Sequence, residues 1–164
     1  MTPPPTYCPQ CSAELEARHD GERERPTCPS CGFVYYDNPD PVVAALVEHE
    51  GDVLLARNKG WPETWYGLVS GFLERGETPE AATLRELKEE LGLDGEIVAM
   101  IGVYAFVEMH QLIVAYHVRA TGTVRLGDEL ADYKRVPPDR IKPWPMGTGH
   151  AVRDWLHTHG YLDA

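Results

Sequence analysis

One helix with well-marked ends constrains this chain more than any other feature, and it carries three carboxylates that its stability does not call for. Thr78 is a good N-cap, and Pro79 suits the first helical position, where a missing N–H costs nothing. Gly92 fits the left-handed stop after the last turn. The spacing predicts a helix over 79–91. At about 100° per residue, Ala81, Leu84, Leu87 and Leu91 share one side, the expected core face. Glu86, Glu89 and Glu90 fall within roughly 100° of one another on the opposite side. Glu86 and Glu90 are a like-charge i,i+4 pair, and Glu89 and Glu90 stand in the last turn, where the helix dipole is negative. A bound cation would supply the missing positive charge, and clustered carboxylate oxygens suit Mg²⁺, Mn²⁺ or Ca²⁺. A solvated acidic face is the competing reading.

The second constraint lies near the N-terminus. Cys8-Pro9-Gln10-Cys11 and Cys28-Pro29-Ser30-Cys31 are two C-x₂-C turns separated by 16 residues, and they use all 4 cysteines of the chain. Each turn can aim two thiolates at one metal, and four thiolates suit tetrahedral Zn²⁺. The pattern is similar to a zinc ribbon. A pair of disulfides is the alternative, which a reducing compartment disfavours.

The chain has 164 residues, enough for one core and a small satellite module. No apolar run approaches the ~18 residues that span a membrane. Neither a basic region nor an apolar stretch of signal-peptide type precedes Cys8, so a cytoplasmic protein is expected. Met1 to Thr6 is Pro-rich and expected to be disordered. The formal charge of −11 argues against acidic membranes and nucleic acid. Within the cysteine module Arg18, Arg23 and Arg25 are outnumbered by Glu14, Glu16, Asp20, Glu22 and Glu24. A basic stripe for nucleic acid is therefore lacking there, and a structural or dimer-forming role fits better. A homodimer stays open.

Past a Pro-stiffened linker at 37–41, strands are expected over 42–47, 53–57, 68–73, 97–107, 111–119 and 133–136, with a last helix over 151–159. Strands around two helices imply an α/β class. Arg57 closes one strand and could meet a substrate phosphate or a surface acid. Trp65 and Tyr66, in the loop from Asn58 to Gly67, are expected to cover the core. Tyr104 and Phe106 share one sheet face and could flank a base or fill the core. His110 and His117 are weaker site candidates.

The stretch from Gly71 to Leu93 also has a fixed frame. Gly71, Glu77, Arg85, Glu86, Leu87, Glu89, Glu90, Gly92 and Leu93 stand in the order Gly-x₅-Glu-x₇-Arg-Glu-aliphatic-x-Glu-Glu-x-Gly-aliphatic. This frame resembles the Nudix box. With the cysteine module ahead of it, the chain resembles Nudix hydrolases with an N-terminal zinc ribbon, the group that includes NADH pyrophosphatases and relatives acting on ADP-ribose or FAD. The resemblance implies a Nudix α/β/α sandwich over 38–164 behind a small zinc ribbon over 1–37. It implies a Mg²⁺- or Mn²⁺-dependent hydrolase that cleaves the pyrophosphate of a nucleoside diphosphate linked to another moiety. Glu86, Glu89 and Glu90 would hold the metal, joined by the Gly71 carbonyl, with Glu86 also a candidate base. Arg85 and Glu77 would brace the loop against the helix. A further acidic ligand would come from outside the box. Glu129, in Gly127-Asp128-Glu129-Leu130, is preferred over Glu108. Gly102 to Val107 departs from the Ser-Gln-Pro-Trp-like motif of NADH pyrophosphatases, so the choice among ADP-ribose, FAD and NADH stays open. The rival function is a non-catalytic regulator that senses a nucleotide and uses the ribbon to contact a partner.

Overall fold

In the computed structural model, which describes residues 4–162, the chain divides into two units, Met1–Pro39 and Asp40–Ala164. The expected disorder of Met1 to Thr6 falls partly on residues 1–3, outside the described residues.

The first unit is built from one turn used twice. After each C-x₂-C the chain enters the left-handed region, at Ser12 (φ 61°) and at Gly32 (φ 77°). Ser12 N–H then donates to the Cys8 carbonyl (2.9 Å), and Gly32 N–H donates to the Cys28 carbonyl (3.0 Å). Cys8 and Cys28 are buried, whereas Cys11 and Cys31 are exposed. Between the two turns runs an antiparallel hairpin, β1 (Glu16–His19) and β2 (Glu24–Thr27), paired from Glu16 opposite Thr27 to His19 opposite Glu24. Its turn is held by Asp20, whose Oδ1 accepts from the N–H groups of Glu22 (2.9 Å) and Arg23 (3.0 Å).

The second unit is a six-stranded mixed sheet with a helix on each face. Strand β3 (Asp40–His49) lies at its centre and is buried on both faces, which explains its unbroken apolar run. One edge of β3 pairs parallel with β7 (Gln111–Thr121). The other edge is shared. β5 (Val69–Phe72) pairs with its first half and β4 (Asp52–Asn58) with its end, both antiparallel. Strand β6 (Asp94–Phe106) extends the sheet beyond β7, and β8 (Leu130–Val136) extends it beyond β4. The linker is shorter than expected, because Pro41 already pairs with Leu112 at the start of β3.

Alternation along β3 sorts the core into two layers. Val42, Ala44 and Leu46 pack with Ile141, Val152, Trp155 and Leu156, under the last helix α2 (Gly149–Thr158). Ala45 and Val47 pack with Leu87, Leu91 and Leu93, under helix α1 (Pro79–Leu91). The ends of α1 are those the sequence implies. Thr78 accepts from Ala81 N–H (3.2 Å), Pro79 is the first helical residue, and Gly92 is left-handed (φ 68°). Its inner face differs. Ala81 is exposed, and the buried residues are Ala82, Thr83, Leu87, Glu90 and Leu91. The helix is rolled toward Glu90, and the hydroxyl of Thr83 is satisfied by donating to the Pro79 carbonyl (2.7 Å).

Candidate active site

The roll of α1 turns its three carboxylates into a graded series. Glu90 is 5% exposed. The side chain of Glu86 is 14% exposed and that of Glu89 is 59% exposed. They therefore run from the interior to solvent along one flank of the helix, rather than standing together on an outer face. The expected opposition between core face and carboxylate face fails at Glu90, which belongs to both. Its Oε2 is buried and has no hydrogen-bond partner. Burial pushes the Glu90 carboxyl up to about 8, reinforced by the charges of Glu86, Glu129 and Glu89. Glu86 is also raised, by burial first, against the opposing pull of Arg85.

Arg85 fastens this series to the loop before the helix. Its Nε and Nη2 donate to the two oxygens of Glu77 (2.7 and 3.1 Å). Its Nη1 donates to Glu86 (2.7 Å) and Glu89 (3.1 Å), and Nη2 also reaches the Phe72 carbonyl (3.1 Å). The Glu77 carboxyl is held below its ordinary range chiefly by Arg85.

Two glycines bring backbone up to the carboxylates. A Cβ on Gly71 would lie 2.1 Å from the carboxyl carbon of Glu86, so a side chain there would displace that carboxylate. A Cβ on Gly127 would lie 2.2 Å from the Glu89 carbonyl oxygen. The segment after β7 thus lies directly on the end of α1. Arg125 N–H donates to the Leu91 carbonyl (2.8 Å) and Gly127 N–H to the Glu90 carbonyl (2.8 Å), satisfying acceptors that a helix end leaves open. A cleft of about 200 Å³ results, lined by Glu86, Glu89, Glu90, Gly127, Asp128 and Glu129. Of the two outside acids, Glu129 lines this cleft and Glu108 does not. Glu108 lies on the single turn of 3₁₀ helix, Val107–Met109, that joins β6 to β7. Asp128 went unread in the sequence, although it adjoins Glu129 in the same turn.

The three substrate candidates are not gathered at the cleft. Tyr104 and Phe106 do share a face, but they pack on the α2 layer. Tyr104 donates to Asp154 of α2 (2.9 Å), and Phe106 lies against Gly147. Arg57, one residue before the end of β4, stands opposite Asp132, with its guanidinium 6.0 Å from the Tyr66 ring centre and its Nε buried without a partner. Tyr66 covers the core as expected, whereas Trp65 is exposed. His117 is buried against Glu48, well inside the sheet. Phe72, beside Gly71, is an exposed aromatic (57%) that periodicity alone gave no reason to single out.

The four cysteines form the other constellation. Their Sγ atoms all lie within 4.8 Å of one another. Cys8 and Cys31 sulfurs are 3.6 Å apart and Cys11 and Cys28 sulfurs 3.4 Å, too far for a disulfide. A tetrahedron with Zn–S bonds of about 2.3 Å has edges of about 3.8 Å, so the set fits zinc. The carboxylate set suits a hard divalent cation by its chemistry, although its oxygens are not drawn together as the four sulfurs are. Its donors are all oxygen, and one buried carboxylate oxygen is left over for it.

Fold and carboxylate helix together define a Nudix hydrolase. The description "NUDIX domain" matches residues 37–154, so the chain belongs to that family. The zinc-ribbon description "Nudix N-terminal" matches residues 6–37 and sets the chain among members with a ribbon ahead of the box. A NAD-capped RNA hydrolase, NudC, of Pseudomonas aeruginosa is 30% identical over 141 residues, covering 85% of this chain and 50% of that protein. Its counterpart in Stutzerimonas stutzeri is 31% identical with the same coverage. The chain thus spans half the length of these curated relatives. A NUDIX hydrolase of Nitrosomonas europaea superposes with a TM-score of 0.77 at 25% identity, covering 94% of this chain and 93% of that one. An ADP-ribose pyrophosphatase of Streptococcus suis shares the fold, with a TM-score of 0.62 at 18% identity over 74% of this chain and 92% of its own.

Proposed function

We propose that this chain is a divalent-metal-dependent pyrophosphohydrolase acting on a nucleoside diphosphate linked to a second group. Dinucleotides of the NAD(H) type come first, on the strength of the NudC relatives, followed by ADP-ribose and FAD. The observation that carries the reading is the buried, unpartnered oxygen of Glu90 within reach of the charges of Glu86, Glu89 and Glu129.

Mg²⁺ or Mn²⁺, held by Glu86, Glu89, Glu90, Glu129 and the Gly71 carbonyl, would neutralise phosphate oxygens and lower the pKa of bound water. The remaining work falls to the chain. One water adds across the bridge: its oxygen bonds to one phosphorus, and the bridging oxygen leaves on the other phosphate with the bonding electron pair. Two phosphorylated products result. Glu86 accepts the proton of the attacking water. Arg85 fixes Glu86 and Glu89 in place, and Glu77 fixes Arg85. Phe72, exposed beside Gly71, offers a face to a base.

An acidic ribbon gives a polyanionic tail no counter-charge, which favours free dinucleotides over capped RNA as substrate. Residues Cys8, Cys11, Cys28 and Cys31 hold one structural zinc, and metal analysis of the purified protein should find about one per chain. For the activity, a panel of NADH, NAD⁺, ADP-ribose, FAD and NAD-capped RNA is incubated with Mg²⁺ or Mn²⁺ and the products are resolved. Release of AMP with the complementary phosphate from the free nucleotides, or of nicotinamide mononucleotide from the capped RNA, is expected from wild type and not from Glu89→Gln. No cleavage of any member, with both proteins binding nucleotide alike, would overturn the enzyme in favour of a sensor.

A further inference from the structure

The turn that carries Glu129 is pinned from both sides. Gly127 N–H donates to the Glu90 carbonyl (2.8 Å), Leu130 N–H donates back to the Gly127 carbonyl (3.3 Å), and Lys59 N–H donates to the Glu129 carbonyl (2.8 Å). The helix end thus holds the start of the turn, and the loop after β4 holds Glu129 itself. At Gly127 the approach to the helix is closer than any other residue allows. A Cβ there would meet the Glu89 carbonyl oxygen at 2.2 Å and the Glu90 Cα at 3.3 Å. Those are backbone atoms of a helix packed on the core, so they cannot turn aside as a side chain would. Nor is Gly127 needed for its own conformation. It is absent from the left-handed glycines, whereas Gly122 in the same segment has φ 111°. Contact alone excludes a side chain.

We propose that Gly127 is a positioning residue for the metal site, its bare Cα letting the 127–130 turn lie on the end of α1 so that the Glu129 carboxylate faces Glu86 and Glu90. The inference rests on the reading of Glu129 as a ligand. An alanine at 127 lifts the turn from the helix and draws Glu129 away from the cleft, while the three helix carboxylates stay where α1 puts them. The cost falls on cation affinity, with the size seen when groups that orient metal ligands are removed, about 10- to 100-fold.

The test uses the full zinc-loaded chain titrated with Mn²⁺, with free Mn²⁺ followed by its electron paramagnetic resonance signal and folding by thermal melting. Gly127→Ala should melt cooperatively and bind Mn²⁺ at least about tenfold more weakly than wild type. Combined with Glu129→Gln it should add no further loss, because both changes remove the same ligand. Normal Mn²⁺ binding by Gly127→Ala, alongside weakened binding by Glu129→Gln, overturns the positioning role and leaves the ligand standing. An equal loss from Gly127→Ala with and without Glu129→Gln overturns it too, by showing that Gly127 acts through the helix. Normal binding by Glu129→Gln removes the ligand reading and the inference with it. If Gly127→Ala does not fold, Glu129→Asp decides. That change draws the carboxylate back by one methylene with the turn intact. Weakened binding supports the placement, and wild-type binding refutes it.

Discussion

The Glu86 carboxylate rests against the bare Cα of Gly71, so closely that a Cβ there would come within 2.1 Å of the carboxyl carbon. The two residues come from different elements, the short strand β5 and helix α1, and their contact fixes where the carboxylate can point. The group that a Cβ would strike is the far end of a side chain. Gly71→Ala should therefore leave the fold intact and swing Glu86 away. Thermal melting should stay near wild type while Mn²⁺ affinity falls by about 10- to 100-fold. A large drop in melting temperature would show instead that the backbone had moved.

Arg85 makes hydrogen bonds to Glu77, Glu86, Glu89 and the Phe72 carbonyl at once. A planar guanidinium can do this, and a lysine ammonium on a flexible stem cannot. Arg85→Lys is thus expected to lose nearly as much kcat/KM as Arg85→Ala, about 10- to 100-fold by analogy with other groups that orient ligands. Glu77→Gln should weaken the same brace. The double variant Glu77→Gln with Arg85→Lys should fall short of the sum of the two losses, which steady-state kinetics on the preferred nucleotide would read.

Glu90 is a buried carboxyl with one unpartnered oxygen, its pKa pushed up to about 8 by burial. Glu90→Gln keeps the shape and removes the charge that burial disfavours. Without divalent metal the variant should melt at or above the wild-type temperature. Wild type should be stabilised by added Mg²⁺ or Mn²⁺, by about 2.7 kcal/mol at a hundredfold excess over Kd. The variant should lose most of that gain. A metal-induced shift equal to wild type would take Glu90 out of the ligand set.

Where side-chain chemistry and local spacing agree, the sequence was a sufficient guide. Thr78, Pro79 and Gly92 set the ends of α1 by capping rules that need no tertiary partner, and those ends stand where expected. The two C-x₂-C turns converge because each is a short, self-contained loop. Reading failed where the third dimension decides. A wheel drawn through Ala81, Leu84, Leu87 and Leu91 put Glu90 outside, but packing on β3 and β7 rolled the helix and buried it. The preference for Glu129 over Glu108 came from the family resemblance, and Gly127 and Asp128 gained meaning only once the turn lay on the helix end. Tyr104 and Phe106 were correctly paired on one face. Which layer that face met was not legible, since alternation gives a side without naming the helix that covers it.

His117 offers a test that leaves the carboxylate cleft untouched. It is 4% exposed, with its Nε2 3.0 Å from Glu48, its ring edge-on to Trp155 and His159, and Arg119 nearby on its own strand. Burial pulls its pKa below the ordinary 6.5, chiefly by disfavouring the charged ring, while Glu48 pulls the other way and His159 and Arg119 assist. The folded pKa therefore lies below the unfolded one. Between the two, the unfolded chain binds more protons, so stability rises with pH across that window. The contribution is complete above 6.5 and is lost as pH falls through the folded value. Urea unfolding of wild type between about pH 5 and pH 8 should show stability declining on the acid side, by at most about 1.4 kcal/mol per pH unit from this one group. His117→Gln, which can still hydrogen-bond Glu48, should flatten that part of the profile. An unchanged slope in the variant would assign the acid sensitivity to other groups.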